Sequence, residues 1–323
     1  MAVPANTVLV SSRTNVKPDV SEIIAMISPT DTPVQTMAKK RSATAKYVET
    51  LSDSLPVAAT NKHIEGDDDA ATAEPAVVRT ANRTQIIKSV VSVSGTAEQG
   101  ANYYGYASQM AYAMAKRAKA TKRDLEFAIS QNQPSAADAT NGDTMAGLES
   151  SIATNIVYAN TKQTGTTTPG FANGDTVAPT DPTNAAVAFS ETMLKSLVKS
   201  VWEQGGEADM LVVGPVAKQA ASAFSGIASL YRDGNGNAPA SIQAAADLYV
   251  SDFGEINIIP SRFNRPQNCL LLDSEYMSLY SLRDWRTYDL AKTGDNEKKT
   301  LLWEGCILVE EEKAMGKIVN VTS

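Results

Sequence analysis

Apolar residues recur every three or four positions across residues 96–130, which is the spacing of one face of an α-helix. This stripe runs through Tyr104, Ala107, Ala111, Met114, Ala118, Leu125 and Ala128, with Thr121 filling the gap between Ala118 and Leu125. Thr96 and Gln99 have the spacing of a capping box at its start, and Pro134 follows its end. Because most of the stripe is alanine, we expect a long helix that lies flat and close against a sheet.

Short runs of β-branched and aromatic residues predict strands elsewhere in the chain. These strands are expected at 47–51, 83–93, 210–213, 247–252, 256–259, 270–272, 301–310 and 314–321. Further helices are expected at 20–27, 34–41, 190–204, 215–224 and 274–282. The last two strands should pair with the body that contains the long helix. Trp202 and Trp285 should be buried in an α/β module over residues 190–290.

A long polar segment separates the first two predicted strands. Residues 52–80 are rich in Ala, Asp, Thr and Pro and offer few side chains that could form a core. Long loops of this kind are uncommon inside compact domains and usually serve a function. We expect a two-stranded arm that projects from the body and is covered by another chain. Residues 135–188, with a Thr/Gly-rich stretch at 161–170, are expected to form surface loops.

The composition is that of an ordinary globular protein. The chain has 323 residues, 43% hydrophobic and 20% charged, and a formal net charge of −7. At ~150 residues per domain, this length suggests about two domains. No apolar run approaches the roughly 20 residues of a membrane helix, and the N-terminus lacks the pattern of a signal peptide. The low number of cysteines fits a reducing compartment.

Residues that could support catalysis are scarce. His63 is the only histidine, and it lies in a polar segment that we interpret as a surface loop. Cys269 and Cys306 do not have the C-x-x-C spacing of a zinc site, and phosphate-binding glycine motifs are absent from the sequence. We therefore predict no catalytic residue, no cofactor and no metal site.

Three charged or polar clusters have plain explanations. Residues 233–237 resemble the start of a calcium loop, but Ala238 and Ala244 replace the required Gly and Glu, so we predict a flexible turn. The aspartates at 67–69 are expected in a solvated loop. The basic run at 116–123 is expected on a helix face that meets solvent or a partner subunit, because the acidic chain weakens the case for nucleic-acid binding.

Several segments together resemble a known family. They are ISPTDTPV at 27–34, TLSDSLPVAATNKHIEGDD at 50–68, RTQIIKSVVSVSGTAE at 83–98, KRDLEFAI at 122–129, FGEINIIPSRFNR at 253–265, LDSEYMSLYSLRDWRTYDLAKTGDNEK at 272–298 and EGCILVEEEKAMGKI at 304–318. In this order they resemble the major capsid proteins of tailed bacteriophages with the Hong Kong 97 shell fold, in the podophage and siphophage branch.

The resemblance implies an α+β fold and a division of the chain into five segments. They are an N-terminal arm (1–41), an extended β-hairpin or E-loop with flanking strands (42–94), a peripheral domain with a spine helix at 96–130 and Thr/Gly-rich loops (95–189), an axial α/β domain (190–290) and return strands of the peripheral domain (291–323).

The resemblance also implies a structural function and a set of partners. Such a chain assembles into hexamers and pentamers of an icosahedral virion shell, which is built in the cytoplasm of a host bacterium. The shell encloses double-stranded DNA without sequence-specific binding and needs no membrane. Only 26 polar residues precede Ile27, too few for an internal scaffold, so we expect a separate scaffolding protein and a portal. A decoration protein is a further partner that this fold admits.

Other interpretations stay open at this stage. A nanocompartment shell protein of the same fold would enclose protein cargo instead of DNA, and an α/β hydrolase or nucleotide-binding enzyme is a third class. Some members of the fold cross-link a lysine of the E-loop to a neighbour's asparagine. Lys46 and Lys62 lie in the corresponding region, but no acceptor is marked, and solvated lysines are the favoured interpretation.

Overall fold

The computed structural model describes residues 31–66, 73–99, 107–160, 170–172, 175–181, 185–224 and 247–322. The helices in these ranges are α1 (Pro33–Met37), α2 (Gly95–Gln99), α3 (Gln109–Ser130), α4 (Leu148–Ser151), α5 (Glu191–Glu203) and α6 (Pro215–Ser222). The strands are β1 (Lys39–Ser42), β2 (Tyr47–Ser52), β3 (Val78–Arg83), β4 (Gln85–Ser94), β5 (Ile156–Tyr158), β6 (Gly170–Ala172), β7 (Asp175–Val177), β8 (Met210–Val213), β9 (Leu248–Ser251), β10 (Gly254–Pro260), β11 (Asn268–Leu272), β12 (Met277–Asp289), β13 (Asn296–Val309) and β14 (Gly316–Val319).

Two larger sheets form the body. The first has the strand order β1-β12-β13-β4, in which β1 runs parallel to β12 and the other pairs are antiparallel. The second has six strands in the order β5-β14-β11-β8-β10-β9. Two hairpins, β2-β3 and β6-β7, complete the described strands.

The six-stranded sheet separates two hydrophobic cores. Met210 and Leu270 point into the first core, together with residues of α3 and the four-stranded sheet. Leu211 and Leu271, one position further along the same strands, point into the second core with α5 and α6. Successive side chains of a strand alternate between faces, so a strand covered on both sides is buried throughout. This explains why every residue of β8 and β11 is buried.

The long helix begins later than the capping box at Thr96 and Gln99 predicts. Residues Gly95–Gln99 form the separate short helix α2, and α3 begins after the N-cap Ser108, whose hydroxyl accepts a hydrogen bond from the amide of Ala111 at 3.1 Å. The Glu98 carboxylate accepts from the Ser108 hydroxyl at 2.6 Å. The prediction of one helix over 96–130 is therefore wrong at its N-terminal end, and the 22 residues of α3 span ~33 Å.

Most predicted elements are confirmed. The helices expected at 190–204 and 215–224 are α5 and α6, and all eight predicted strands correspond to described strands. Gly254 has a φ of +146° at the predicted turn, a conformation open to glycine. The helix expected at 20–27 lies outside the described residues.

The segment 274–282 does not form the predicted helix, because residues 274–276 form a bend and the chain continues as a strand from Met277. This strand is β12, which pairs with β13 from Met277↔Val309 onward and with β1 on its other side. Ladders on both edges supply hydrogen-bond partners that outweigh the local helical spacing. The helix expected at 34–41 is likewise shorter, because it ends at Met37 and β1 follows at Lys39.

The strands at the C-terminal end do not return together. β13 pairs with β4 beside α3, as expected, but β14 pairs with β11 in the six-stranded sheet. β12, although it lies within 190–290, belongs to the four-stranded sheet. In the region predicted as surface loops, β6 and β7 form a small hairpin and β5 joins the six-stranded sheet.

The tryptophans are distributed differently from the prediction. Trp202 is 54% exposed and packs against Phe253, with ring centroids 5.1 Å apart, beside an open pocket of about 150 Å³. Trp285 is half-buried in the first core, not in the α/β module, and stacks on Trp303 at 5.9 Å. Trp303 is the tryptophan that is buried, at 1% exposure.

Replacing Trp303 with alanine should lower the free energy of unfolding by about 3–5 kcal/mol, because the substitution leaves a large cavity under the four-stranded sheet. Trp202→Ala is the matched control and should cost less than about 1 kcal/mol, since this side chain is half in solvent. Denaturant unfolding of the unassembled chain measures both. Equal losses of unfolding free energy in the two variants would contradict the conclusion that Trp303 is buried and Trp202 is exposed.

Candidate functional site

The most conspicuous surface feature is the loop that joins β2 to β3. The two strands pair from Tyr47↔Arg83 to Ser52↔Val78, and the described residues beyond them, 53–66 and 73–77, form no further strand or helix. In this loop Leu55 is 92% exposed, Val57 93% and Ile64 80%. Large apolar side chains exposed together to this degree are typical of an interaction surface.

The base of this hairpin is fixed to the body by ionic contacts. The Arg83 guanidinium donates to both carboxylate oxygens of Asp175, at 2.8 and 3.1 Å, and lies 5.0 Å from the ring centroid of Tyr47. Lys46 forms an ion pair with Asp143 at 2.7 Å, and this hydrogen bond lowers the pKa of the Asp143 carboxyl. These contacts join Arg83 of β3 to β7, and the residue that precedes β2 to the loop that contains Asp143.

A buried amide provides a second anchor for the hairpin. Asn82 of β3 is 2% exposed, and its side-chain oxygen accepts from the amide of Ala146 at 2.7 Å. Its Nδ2 donates to the carbonyls of Ala146 and Ile307. Since a buried amide without partners is costly, this set of bonds fixes the position of β3 against β13.

The start of α1 is held by a carboxylate on the long helix. Glu126 is fully buried, and its two oxygens accept from the backbone amides of Val34 at 2.9 Å and Gln35 at 3.0 Å. The Gln35 side chain also donates to the Lys122 carbonyl at 2.7 Å. Burial raises the pKa of Glu126, while the two amide donors oppose this shift. Glu126 thus ties the described end of the N-terminal arm to α3.

A buried charge cluster lies where α4 meets the six-stranded sheet. Arg265 Nη1 contacts the Glu149 carboxylate at 2.9 and 3.1 Å, and Asn268 Nδ2 donates to the same carboxylate at 2.6 Å. Lys317 Nζ donates to the Glu149 carbonyl at 2.6 Å, and Arg265 Nη2 reaches Asp181 at 2.7 Å. Burial raises the pKa of Glu149 and lowers that of Lys317 to about 8.

The three residues considered for catalysis lie in different environments, one exposed on the loop and two buried in the cores. His63 is exposed on the loop, and its Nε2 lies 3.0 Å from the Asn61 side-chain oxygen. Cys269 and Cys306 are buried free thiols, one in each core, and burial raises the pKa of each to about 12. A thiol with so high a pKa forms little of the nucleophilic thiolate. The structure brings none of these three residues together.

The remaining predicted clusters are only partly within the described residues. Lys62 is exposed, and Lys116, Arg117, Lys119 and Lys122 are exposed on α3. The aspartates at 67–69 and the segment 233–237 lie outside the described ranges. Within those ranges no group of three His, Cys, Asp or Glu side chains is arranged to hold a metal ion. None of the helices that the structure describes has the length and apolar character needed to cross a bilayer.

Sequence reasoning missed the buried polar anchors. Glu126 sits between Leu125 and Ala128 in the apolar stripe, and Lys317 lies in the apolar run Gly316–Val319. A charged residue on an otherwise buried face is the signal that points to such a group, because an unpaired charge there would be very costly. Asn82 carries no such signal, because its neighbours in β3 are themselves mostly polar.

The same architecture occurs in solved shells. A capsid asymmetric unit of cyanophage A-1(L) has a TM-score of 0.69 over 95% of this chain and 98% of that chain, at 11% identity. A phage G structure of gp27 major capsid proteins and gp26 decoration proteins has a TM-score of 0.56. The match covers 98% of this chain and 100% of that chain, at 11% sequence identity. The SrpI encapsulin of Synechococcus elongatus has a TM-score of 0.53. The match covers 99% of this chain and 96% of that chain, at 12% sequence identity. At such identities the similarity shows the fold alone.

The fold is thus of the Hong Kong 97 type, as the sequence resemblance implied. The family described as SU10 major capsid protein matches residues 4–322, and the chain belongs to this family. The major capsid protein of Escherichia phage Phieco32 is 37% identical over 112 residues, which are 34% of this chain and 31% of that protein. The aligned stretch spans about a third of this curated relative.

Replacing Glu126 with alanine should leave the buried amide of Val34 and the partly buried amide of Gln35 without an acceptor and lower the free energy of unfolding by about 1–3 kcal/mol. Proteolytic cleavage within residues 31–42 should become faster. Asp124→Ala, an exposed position on the same helix, is the control and should change stability by less than about 0.5 kcal/mol. Indistinguishable behaviour of the two variants would refute the anchor.

Lys317 should make stability rise with pH in an alkaline window. Its pKa is lowered from 10.5 to about 8, so between these values the unfolded chain binds more protons than the folded chain. Stability contributed by this group therefore increases as pH rises through the window. Denaturant unfolding at about pH 7.5 and about pH 10 should show a smaller rise for Lys317→Met than for the parent chain. Lys313→Met, at a half-exposed position, should retain the rise of the parent.

Proposed function

We propose that this chain is the shell-forming subunit of a phage head. Copies assemble as hexamers and pentamers of an icosahedral shell that encloses double-stranded DNA. The observation that carries the proposal is the hairpin loop, whose Leu55, Val57 and Ile64 side chains lie almost wholly in solvent although its base is firmly anchored. Covering apolar surface is favourable by about 25 cal/mol per Å², and a neighbouring subunit provides that cover. Association then stabilises the subunit.

The segments of the chain take distinct parts in this proposal. Residues 1–41 act as an N-terminal arm, 42–94 as the E-loop with its flanking strands, 95–189 as the peripheral domain and 190–290 as the axial domain. The return strands lie in 291–323. The strand pairing supports moving β12 to the peripheral body and β14 to the axial sheet.

Further partners follow from this assembly. A scaffolding protein encoded as its own chain sets the curvature of the shell, because identical subunits in non-equivalent positions do not define it by themselves. A portal occupies one vertex, and a decoration protein can bind outside. Phage G gp27 is described together with gp26 decoration proteins, which supports including such a partner. Assembly takes place in the cytoplasm of the host bacterium, and the product is the virion capsid.

The proposed role is structural and not enzymatic. The single histidine is exposed, with its Nε2 3.0 Å from the Asn61 side-chain oxygen, and both thiols are buried with a pKa of about 12. The lysines considered for cross-linking also have plain roles. Lys46 is in an ion pair with Asp143, and Lys62 is exposed to solvent.

A nanocompartment shell is the second candidate, favoured by the similarity to the SrpI encapsulin at a TM-score of 0.53. Membership in the SU10 major capsid protein family supports the phage head over this candidate. The contents of purified particles separate the two, because a phage head holds DNA and a nanocompartment holds protein cargo.

Making the loop polar should abolish assembly without unfolding the subunit. In a triple variant Leu55→Ser, Val57→Ser and Ile64→Ser, we expect a melting temperature close to that of the parent, since these side chains are exposed in the isolated chain. Electron microscopy after co-expression with the cognate scaffolding protein should show closed shells for the parent and none for the variant.

The control carries alanine at Ser54, Thr60 and Lys62, which are exposed polar positions of the same loop. It should still form shells. If the triple serine variant assembles as well as this control, the loop is not the assembly contact.

A further inference from the structure

The open pocket beside Trp202 lies at the C-terminal end of α5, and we call it the α5 pocket. Its walls come from α5, from the loop that follows this helix and from the turn between β9 and β10. Trp202 and Phe253, which are 54% and 40% exposed, both line the pocket. A cavity of about 150 Å³ is large enough for a six-membered ring, so the α5 pocket has room for a planar side-chain group.

Local hydrogen bonds fix the backbone on both sides of the α5 pocket. The helix ends at Gly205, whose φ is +90° and whose amide donates to the Trp202 carbonyl at 2.9 Å. On the other side, the Ser251 hydroxyl accepts from the Phe253 amide at 3.2 Å and donates to the Gly254 carbonyl at 2.8 Å. The segments that carry the two aromatic residues are therefore ordered before anything binds, which lowers the entropic cost of binding.

The lining of the α5 pocket is acidic. Glu207, Asp209 and Glu255 line it, and none of the described residues in its walls is Lys, Arg or His. The Asp209 carboxylate accepts from the amide and the hydroxyl of Ser274, at 3.0 and 2.8 Å. Glu207 and Glu255 are exposed and take part in none of the ion pairs between described residues. The last turn of α5 adds the negative end of the helix dipole.

These features favour an organic cation as the ligand. The carboxylates repel anions, and the acidic side chains within the described ranges form no group of three that could hold a metal ion. Aromatic faces attract a cation through the ring quadrupole, and the planar guanidinium of arginine also stacks on them. Tryptophan and arginine are both enriched among the residues that dominate binding at protein interfaces. An arginine side chain therefore matches the shape and the charge of the α5 pocket.

We infer that the α5 pocket binds an arginine side chain of a partner protein. The guanidinium lies against the rings of Trp202 and Phe253, and its charge faces Glu207 and Glu255. The methylene groups of the arginine cover part of the aromatic surface that is exposed in the isolated subunit. The inference goes beyond the proposed function, because all walls of the pocket belong to one subunit and the site exists before assembly.

Isothermal titration calorimetry of the full, unassembled chain tests the inference with three probes. They are acetyl-Gly-Arg-Gly-amide, the same peptide with citrulline in place of arginine, and spermidine. Citrulline has nearly the shape of arginine but carries no charge. The arginine peptide should bind saturably and at least about tenfold more tightly than the citrulline peptide, because the cation–π contact and the attraction to carboxylates both need the charge. The difference should shrink as salt is added, since Glu207 and Glu255 are exposed.

Two variants locate the binding on the chain. Trp202→Leu keeps an apolar side chain but removes the indole, and E207Q/E255Q removes two charges at nearly constant side-chain size. Each should weaken binding of the arginine peptide at least about threefold. Both variants should keep the melting temperature close to that of the parent chain, because the altered side chains are exposed.

The matched control is E49Q/E297Q, which removes the same charge from carboxylates that are ion-paired elsewhere on the chain. It should bind the arginine peptide as the parent chain does. Equal weakening by this control would overturn the inference, because binding would then follow net charge alone.

The remaining outcomes also decide the question. Equal affinity for the arginine and citrulline peptides, or no saturable binding of the arginine peptide, would overturn the inference. Unchanged affinity in Trp202→Leu would do the same, because the peptide would then bind elsewhere. Tighter binding of spermidine than of the arginine peptide would identify a site for a free polyamine in place of a partner's arginine. None of these results bears on the proposed function, which shell formation tests separately.

Discussion

The six-stranded sheet carries apolar side chains on both of its faces, and each face needs its own cover. Met210 and Leu270 require the core under α3, whereas Leu211 and Leu271 require the core under α5 and α6. Neither core could form without this sheet, because β8 and β11 contribute alternate residues to both. The two cores therefore share the six-stranded sheet, and a displacement of this sheet disturbs the packing on both of its faces.

Buried polar groups fix the positions of the surrounding elements relative to the six-stranded sheet. Glu149 and Arg265 join α4 to the region of β11, while Lys317 of β14 reaches the Glu149 carbonyl. Removing charges from water costs free energy, so such a cluster is a weak source of stability. It fixes the relative position of these elements instead, since the Glu149 carboxylate accepts from Arg265 and Asn268 at once. Asn82 acts similarly on the hairpin, which combines a fixed base with a tip that presents apolar side chains outward.

The sequence was informative where local patterns and burial agree. The apolar runs of β8 and β11 and the stripe of α5 correspond to observed elements, because their side chains meet covered faces. Residues 274–282 were misleading, since strand pairing with β13 decides their conformation and a pairing partner thirty residues away leaves no local mark. Trp202 was misleading for a related reason. Its position at the edge of the α5 stripe leaves the indole beside Phe253 at the surface.

The parts of the candidate site divide in the same way. The exposed loop could be predicted from the sequence, because a polar segment of this length has few side chains that could join a core. The buried anchors could not be predicted, since Glu126 and Lys317 are single charged residues whose contact partners are distant in the sequence. Only the fold shows that a backbone amide of α1 lies opposite a carboxylate of α3. The basic run at 116–123 was seen in the sequence, but the exposure of Lys116, Arg117, Lys119 and Lys122 appears only in three dimensions.

The two buried thiols give the subunit a chemical property that concerns the life of a particle outside its host. Dissolved oxygen and peroxides attack cysteine through its thiolate form. Cys269 and Cys306 sit in separate cores and have pKa values of about 12, so they present almost no thiolate at neutral pH. Oxidants should neither join them nor convert them to acids while the cores stay closed. These two thiols should therefore stay reduced when the medium changes from reducing to oxidising, as long as the cores stay closed.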